Sequence, residues 1–259
     1  GQQTTKRSPR SLVSTEGPYG LPSWRALSNS MDLANTGDLI KWVQIPDSFP
    51  LPKGVEPGTW LLLTQQATHM VDSLNSRKGQ SGVSKNMIIL SGPSGIGKSC
   101  LTLLAAVHMK MEEKENVLYV PDAGELLAIA RRDAEQHQRS VSVSLVALLL
   151  ELTRDQNSKE LMEEVFPGDD SVLSMDGFVQ KLNENDFIVF LDEQGHAYME
   201  LEKQSDHHTF GMIYPNFYIS RGRRLRVVLT GSNQASFETS LNGEYRTCVK
   251  YCQPMTETE

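Results

Sequence analysis

The chain is short of everything that staples a fold, crosses a bilayer or grips a polyanion. Its 259 residues include only three cysteines, Cys100, Cys248 and Cys252. An odd, sparse set excludes a disulfide framework and points to a reducing, intracellular compartment. Cys248 and Cys252 are expected on one face of a strand as core residues, because two ligands without partners make a poor metal site. No run reaches the roughly 18 apolar residues of a membrane helix, so no membrane partner is expected. Positive charge is in deficit, with 25 Lys and Arg against 32 Asp and Glu and a net charge of −7. No global basic field indicates nucleic acid. The chain begins with Gly rather than Met, so its natural N-terminus and any targeting signal are expected to lie outside it. Hydrophobic residues still make up 39 %, enough for a sizeable core, and no internal repeat is visible.

What is present is a loop. "MIILSGPSGIGKSCL" runs from Met87 to Leu101. Met87 to Leu90 is a short apolar run suited to a buried parallel strand. Gly92, Pro93, Ser94, Gly95, Ile96 and Gly97 follow, and Lys98, Ser99 and Cys100 open a helix-like stretch. G-x-x-x-x-G-K-S between a strand and a helix is the pattern of a phosphate-binding loop. The glycines let the backbone turn tightly and aim N–H groups at phosphate oxygens. The helix N-terminus adds positive potential. Residues 92 to 100 are therefore the expected nucleotide cradle. Lys98 reaches the outer phosphates, and the Ser99 hydroxyl holds the Mg²⁺ that accompanies ATP.

Downstream, apolar strands alternate with helical patterns. "NVLYVPD" (Asn116–Asp122), "DFIVFLDE" (Asp186–Glu193), "LRVVLTGS" (Leu225–Ser232) and "TCVKYCQ" (Thr247–Gln253) read as strands. "AGELLAIARRDAEQ", "SVSLVALLLELTRD" and "SMDGFVQKL" read as helices. This alternation predicts an α/β fold, a doubly wound, mainly parallel five-stranded sheet with helices on both faces. Ligands bind at the carboxyl ends of such strands. Asp192 would emerge there as a second Mg²⁺ residue, through water. Glu193 would orient or activate the attacking water. Ser232 and Asn233 are candidates to touch the terminal phosphate or that water, or else cap a turn. With Lys98 and Glu193, Asn233 completes the expected catalytic set. His196 is read as a solvated loop residue. Arg221, Arg223, Arg224 and Arg226 read as the solvated start of a strand, with a finger toward a neighbour's phosphate as the alternative.

Before the loop, residues 1–37 are rich in Ser, Thr, Gly, Pro and Asn and read as a flexible arm. Residues 38–85 form an extension packed on the core. In it "LIKWVQIPDSFPLPKG" lies extended and "TWLLLTQQATHMVDSL" (Thr59–Leu74) shows a helical stripe. Residues 86–259 form the core, with a lid or effector domain expected to be absent. Closure over bound nucleotide would then be missing, and ATP turnover by the chain would be slow.

Several resemblances follow. "GPSGIGKS" resembles the phosphate loop of guanylate kinases, but no Arg- and Tyr-bearing GMP site follows it. A strand is expected between the loop strand and the Asp192 strand, as in the AAA+ and STAND classes of ATPase. The tail resembles P-loop domains of the Crinkler and retrotransposon-hot-spot type. It carries Gly231-Ser232, Phe237-Glu238, Leu241-Asn242-Gly243-Glu244 and Pro254-Met255-Thr256 with Glu257. That resemblance covers roughly Leu51 to Glu259. It implies an ATP-binding module, often joined to a C-terminal nuclease-like effector and acting in a nucleus. No Crinkler leader is recognisable in the chain, and it is expected to stop before any effector. "VLYVPDA" is more loosely similar to the P-loop protein of the mitochondrial small ribosomal subunit, which implies a nucleotide-binding scaffold. No Asn-Lys-x-Asp guanine-reading motif is found, so ATP is the default nucleotide.

Overall fold

The structure is a computed structural model. It describes residues 13–14, 42–47, 49–52, 55–56, 58–62, 64–80, 86–93, 95–168, 174–193, 225–231 and 248–252. Its centre is a five-stranded sheet of β4 (Met87–Ser91), β5 (Val117–Val120), β6 (Ile188–Leu191), β7 (Arg226–Thr230) and β8 (Val249–Tyr251). The order across the sheet is β5-β6-β7-β4-β8, and every pair is parallel. Parallel strands buried on both faces read as unbroken apolar runs, and β4 to β7 are buried throughout.

Alternate side chains of these strands enter two separate cores. Ile88, Leu90, Tyr119, Ile188, Phe190 and Val228 meet α1 (Gln65–Ser76) and α2 (Lys98–Met111) on one face. Ile89, Val120, Val189, Leu191, Val227 and Leu229 meet α3 (Ala123–His137), α4 (Val141–Gln156), α5 (Lys159–Val165) and α6 (Met175–Glu184) on the other. Cys248 joins the second core and Cys252 the first. Both are buried, as expected, but they fall on opposite faces, because they flank the three-residue β8 (Val249–Tyr251) instead of lying within one strand.

A small antiparallel sheet joins β1 (Val13–Ser14), two residues of the expected flexible arm that are here paired, to β2 (Trp42–Gln44) and β3 (Trp60–Leu62) of the extension, in that order. This corrects the reading of 59–74 as one helix. Trp60–Leu62 pairs with β2, and the helix starts only after Thr64, whose side chain accepts from Ala67 N–H at 3.2 Å. An apolar run of this length has no periodicity to separate strand from helix. α5, capped by Ser158, was not anticipated.

Two polar clusters hold the sheet. β5 is an edge strand, and its open side is closed by side-chain amides instead of another strand. Gln156 accepts from Tyr119 N–H at 2.7 Å and donates to Tyr119 C=O at 2.8 Å. Asn157 brackets Val117 in the same way, at 3.3 and 2.7 Å. An edge so occupied cannot template a foreign strand. At the end where the strands begin, Arg226 is 2 % exposed and donates to Glu115 Oε2 at 2.7 Å. Glu115 also accepts from Lys78 at 2.7 Å, and Arg226 reaches Leu74 C=O at 3.4 Å. Arg226 is thus neither a solvated strand start nor a finger. It ties α1 to the sheet from within the core, far from the loop. Arg221, Arg223 and Arg224 lie outside the described residues.

Candidate functional site

The carboxyl ends of β4, β6 and β7 converge. β7 separates the other two, as the expected intervening strand. Its ladder with β4 runs one residue past the strand, where Gly231 N–H donates to Leu90 C=O at 3.0 Å. β8 closes the other side, with Cys252 N–H on Ser91 C=O at 2.9 Å.

From β4 the chain enters the loop of Gly92, Pro93, Gly95, Ile96 and Gly97; Ser94 lies outside the described residues. Gly92 has φ +147°, and a Cβ there would meet Ile96 Cγ2 at 3.4 Å and the Cys252 carbonyl oxygen at 3.6 Å. Those are ordinary contact distances, so it is the conformation that disfavours a side chain here. Gly97 takes a left-handed φ of 93° as the residue before α2 and gives that helix no side-chain cap. The first-turn N–H groups of α2 are left to the loop's concave side. Lys98 is 5 % exposed, and its ammonium donates to the carbonyls of Gly92 and Pro93, each at 2.9 Å. The lysine is folded over its own loop. These bonds are local and exchangeable for phosphate oxygens.

Across the sheet stands Asp192. Its backbone continues the β5–β6 ladder, with Asp192 N–H on Val120 C=O and Ala123 N–H on Asp192 C=O, both at 2.9 Å. The side chain is fully buried. Oδ1 accepts from the Thr230 hydroxyl and, at 3.0 Å, from Glu193 N–H. Oδ2 has no hydrogen-bond partner of full geometry. Burial pushes the Asp192 carboxyl above its ordinary range, while the hydroxyls of Thr230 and Ser99 pull against that. The Ser99 hydroxyl is therefore beside the carboxylate, and the two predicted metal residues are together. Among the described residues no group of three or more His, Cys, Asp or Glu could hold a metal ion. A Mg²⁺ that arrives with phosphates needs less: one carboxylate and one hydroxyl, all oxygen. An unpaired buried Oδ2 next to Ser99 fits that requirement.

Glu193 follows with a left-handed φ of 52°. Its N–H is bound by Asp192 Oδ1 and by Thr230 Oγ1 at 2.9 Å. A non-glycine residue in this region is strained, and here the two bonds hold it. The Glu193 side chain is half-buried, and its charge helps push the Asp192 carboxyl upward. Thr230 is the residue that sequence reasoning passed over. Ser232 and Asn233 are the residues that the sequence pattern selects at this edge. Thr230 holds both halves of the acidic pair, and its signal was its place as the last residue of β7. Ser232, Asn233 and His196 lie outside the described residues. Cys100 is half-buried in the first turn of α2; burial, then the Asp192 charge, pushes its thiol upward.

A five-stranded, all-parallel sheet with helices on both faces, carrying a glycine loop between β4 and α2, is a P-loop NTPase-like fold. No protein-family model and no curated protein matches the chain. Among solved structures it is similar to "Structure of C. elegans PCH-2", with 14 % identity and a TM-score of 0.39 over 83 % of this chain and 49 % of that one. The chain thus spans about half the length of that structure, and a likeness this distant carries no functional argument. No helix among the described residues is long and apolar enough to cross a membrane.

Proposed function

We propose that the chain is an ATP-binding, Mg²⁺-dependent P-loop NTPase module whose hydrolysis drives or licenses a protein partner or a C-terminal effector domain. The observation that carries this reading is Asp192, a buried carboxylate with one oxygen unpaired and the Ser99 hydroxyl alongside. Lys98 exchanges two loop carbonyls for outer phosphate oxygens, and the loop N–H groups bind the rest. Mg²⁺, when bound, neutralises phosphate charge. Ser99 and Asp192 are the residues that would hold it. Glu193 holds the attacking water and takes its proton, while Thr230 keeps Asp192 and Glu193 in register. Asn233 and Ser232, outside the described residues, are the further candidates for contact with the terminal phosphate. The intervening β7 supports this reading over a small nucleotide kinase. The finer assignment, to the Crinkler and retrotransposon-hot-spot type, rests on the tail motifs after β7, and a nuclease-like effector is the partner it implies.

The test is Asp192→Asn, titrated with a fluorescent ATP analogue in Mg²⁺ and in EDTA. The variant is expected to keep its affinity in EDTA and to lose the gain that Mg²⁺ gives the wild type. A folded variant that retains the gain overturns the metal assignment.

A further inference from the structure

Among the described residues, the buried polar atoms without hydrogen-bond partners include Asp192 Oδ2 and the hydroxyl of Tyr119. Tyr119 lies in β5 opposite Phe190 of β6. The ladder continues to Asp192, so Phe190 and Asp192 project from the same face as Tyr119. Tyr119 is fully buried in the core that α2 covers. Asp192 and Cys100 both act on its phenol electrostatically, after the larger effect of burial, and Asp192 acts on Cys100. The ring is also pinned. Gln156 binds the Tyr119 backbone on both sides, and the Phe49 ring packs 6.3 Å away, centre to centre. A buried hydroxyl held in place calls for a partner, because buried polar groups are almost always bonded.

We propose that Tyr119 is a positioning residue for Asp192: its hydroxyl donates to Oδ2, directly or through one buried water. This rests on the reading of Asp192 as a metal-holding residue. Oδ1 is already occupied by Thr230 and Glu193. A donor on Oδ2 locks the carboxylate plane and leaves that oxygen's second lone pair for a metal-bound water. Partners of this kind orient a metal ligand without touching the metal.

The experiment compares wild type, Tyr119→Phe and Asp192→Asn by titration with a fluorescent ATP analogue, in EDTA and across a Mg²⁺ series. Tyr119→Phe is expected to match wild type in EDTA and to need about 10-fold more Mg²⁺ for the same gain, the scale of lost outer-shell partners. A merely structural hydroxyl would not move that Mg²⁺ requirement. An unchanged Mg²⁺ requirement overturns the proposal, including when Tyr119→Phe melts higher than wild type. If Asp192→Asn also keeps the Mg²⁺ gain, the underlying metal reading fails; if only Tyr119→Phe keeps it, this inference alone fails. Should Tyr119→Phe not fold, a crystal structure of the wild type decides. A hydrogen bond or a single bridging water between the two oxygens supports the proposal, and a dry gap overturns it.

Discussion

Where the strands of the sheet begin, Arg226 and Glu115 form a buried pair, joined from the exposed side by Lys78, that binds α1, the turn before β5 and β7 to one another. Where the strands end, Asp192 is just as buried, yet one of its oxygens has no partner, and Lys98 is bonded only to its own loop. Glu193 beside it sits in a strained backbone conformation. The first cluster is closed and serves stability. The second has bonding capacity left over beside the loop, where a ligand can use it.

The contrast can be broken at either end. The largest effect is expected from Arg226→Met. Removing one member of a buried ion pair costs about 3 kcal/mol or more, so the urea midpoint should fall sharply while the folded fraction keeps its ATP affinity. Equal stability would show that the pair is dispensable. At the other end, Lys98→Ala should weaken binding of a fluorescent ATP analogue by about 100-fold or more, the loss of two charge-assisted bonds. Its circular dichroism should stay that of wild type. Unchanged affinity in the folded variant would remove Lys98 from the site. Glu193→Gln should keep ATP bound and slow single-turnover hydrolysis by about 10²-fold; matching rates would pass the role to another residue.

Smaller effects sharpen the comparison. Gln156→Ala leaves the Tyr119 N–H and C=O without their partner on a buried edge. It should cost about 2 kcal/mol and speed amide exchange at Tyr119, and unaltered exchange would show the edge satisfied in another way. The smallest effect is in pH. Burial pushes the Glu115 carboxyl upward, but hydrogen bonds from Lys78 and Arg226 pull it further down, below its ordinary range. A lowered folded pKa adds stability above the unfolded carboxylate range, and that stability is lost as pH falls through the folded value. The stability gap between wild type and Glu115→Gln should therefore narrow on acidification; a constant gap would contradict the assignment.

The loop was legible because its chemistry is local: a strand, six small or apolar residues, Lys98 and Ser99 in sequence. The buried strands were legible as apolar runs, and α3, α4 and α6 as periodic stripes. Trp60–Leu62 was not, because an unbroken apolar run suits either secondary structure until a partner strand selects one. Arg226 was misread because its neighbours Arg221, Arg223 and Arg224 suggest solvent, while Glu115 lies more than a hundred residues away in the chain. Thr230 was under-weighted for the same reason. A hydroxyl ending a strand is ordinary until the sheet sets it against a carboxylate.

Residue spacing by itself determined that a phosphate-type loop joins a buried strand to a helix, that the domain alternates strands and helices, and that Asp192 ends an apolar strand. An intervening strand was expected by resemblance, but only the tertiary structure decided that it is β7 and that β5 and β8 take the edges. It also decided which oxygen of Asp192 stays unpaired, and that Gln156 and Asn157 serve as the missing neighbour of β5. The reason is physical: local pattern reports what each segment can bury, but a hydrogen bond between groups distant in sequence exists only once parallel pairing has fixed both partners in space.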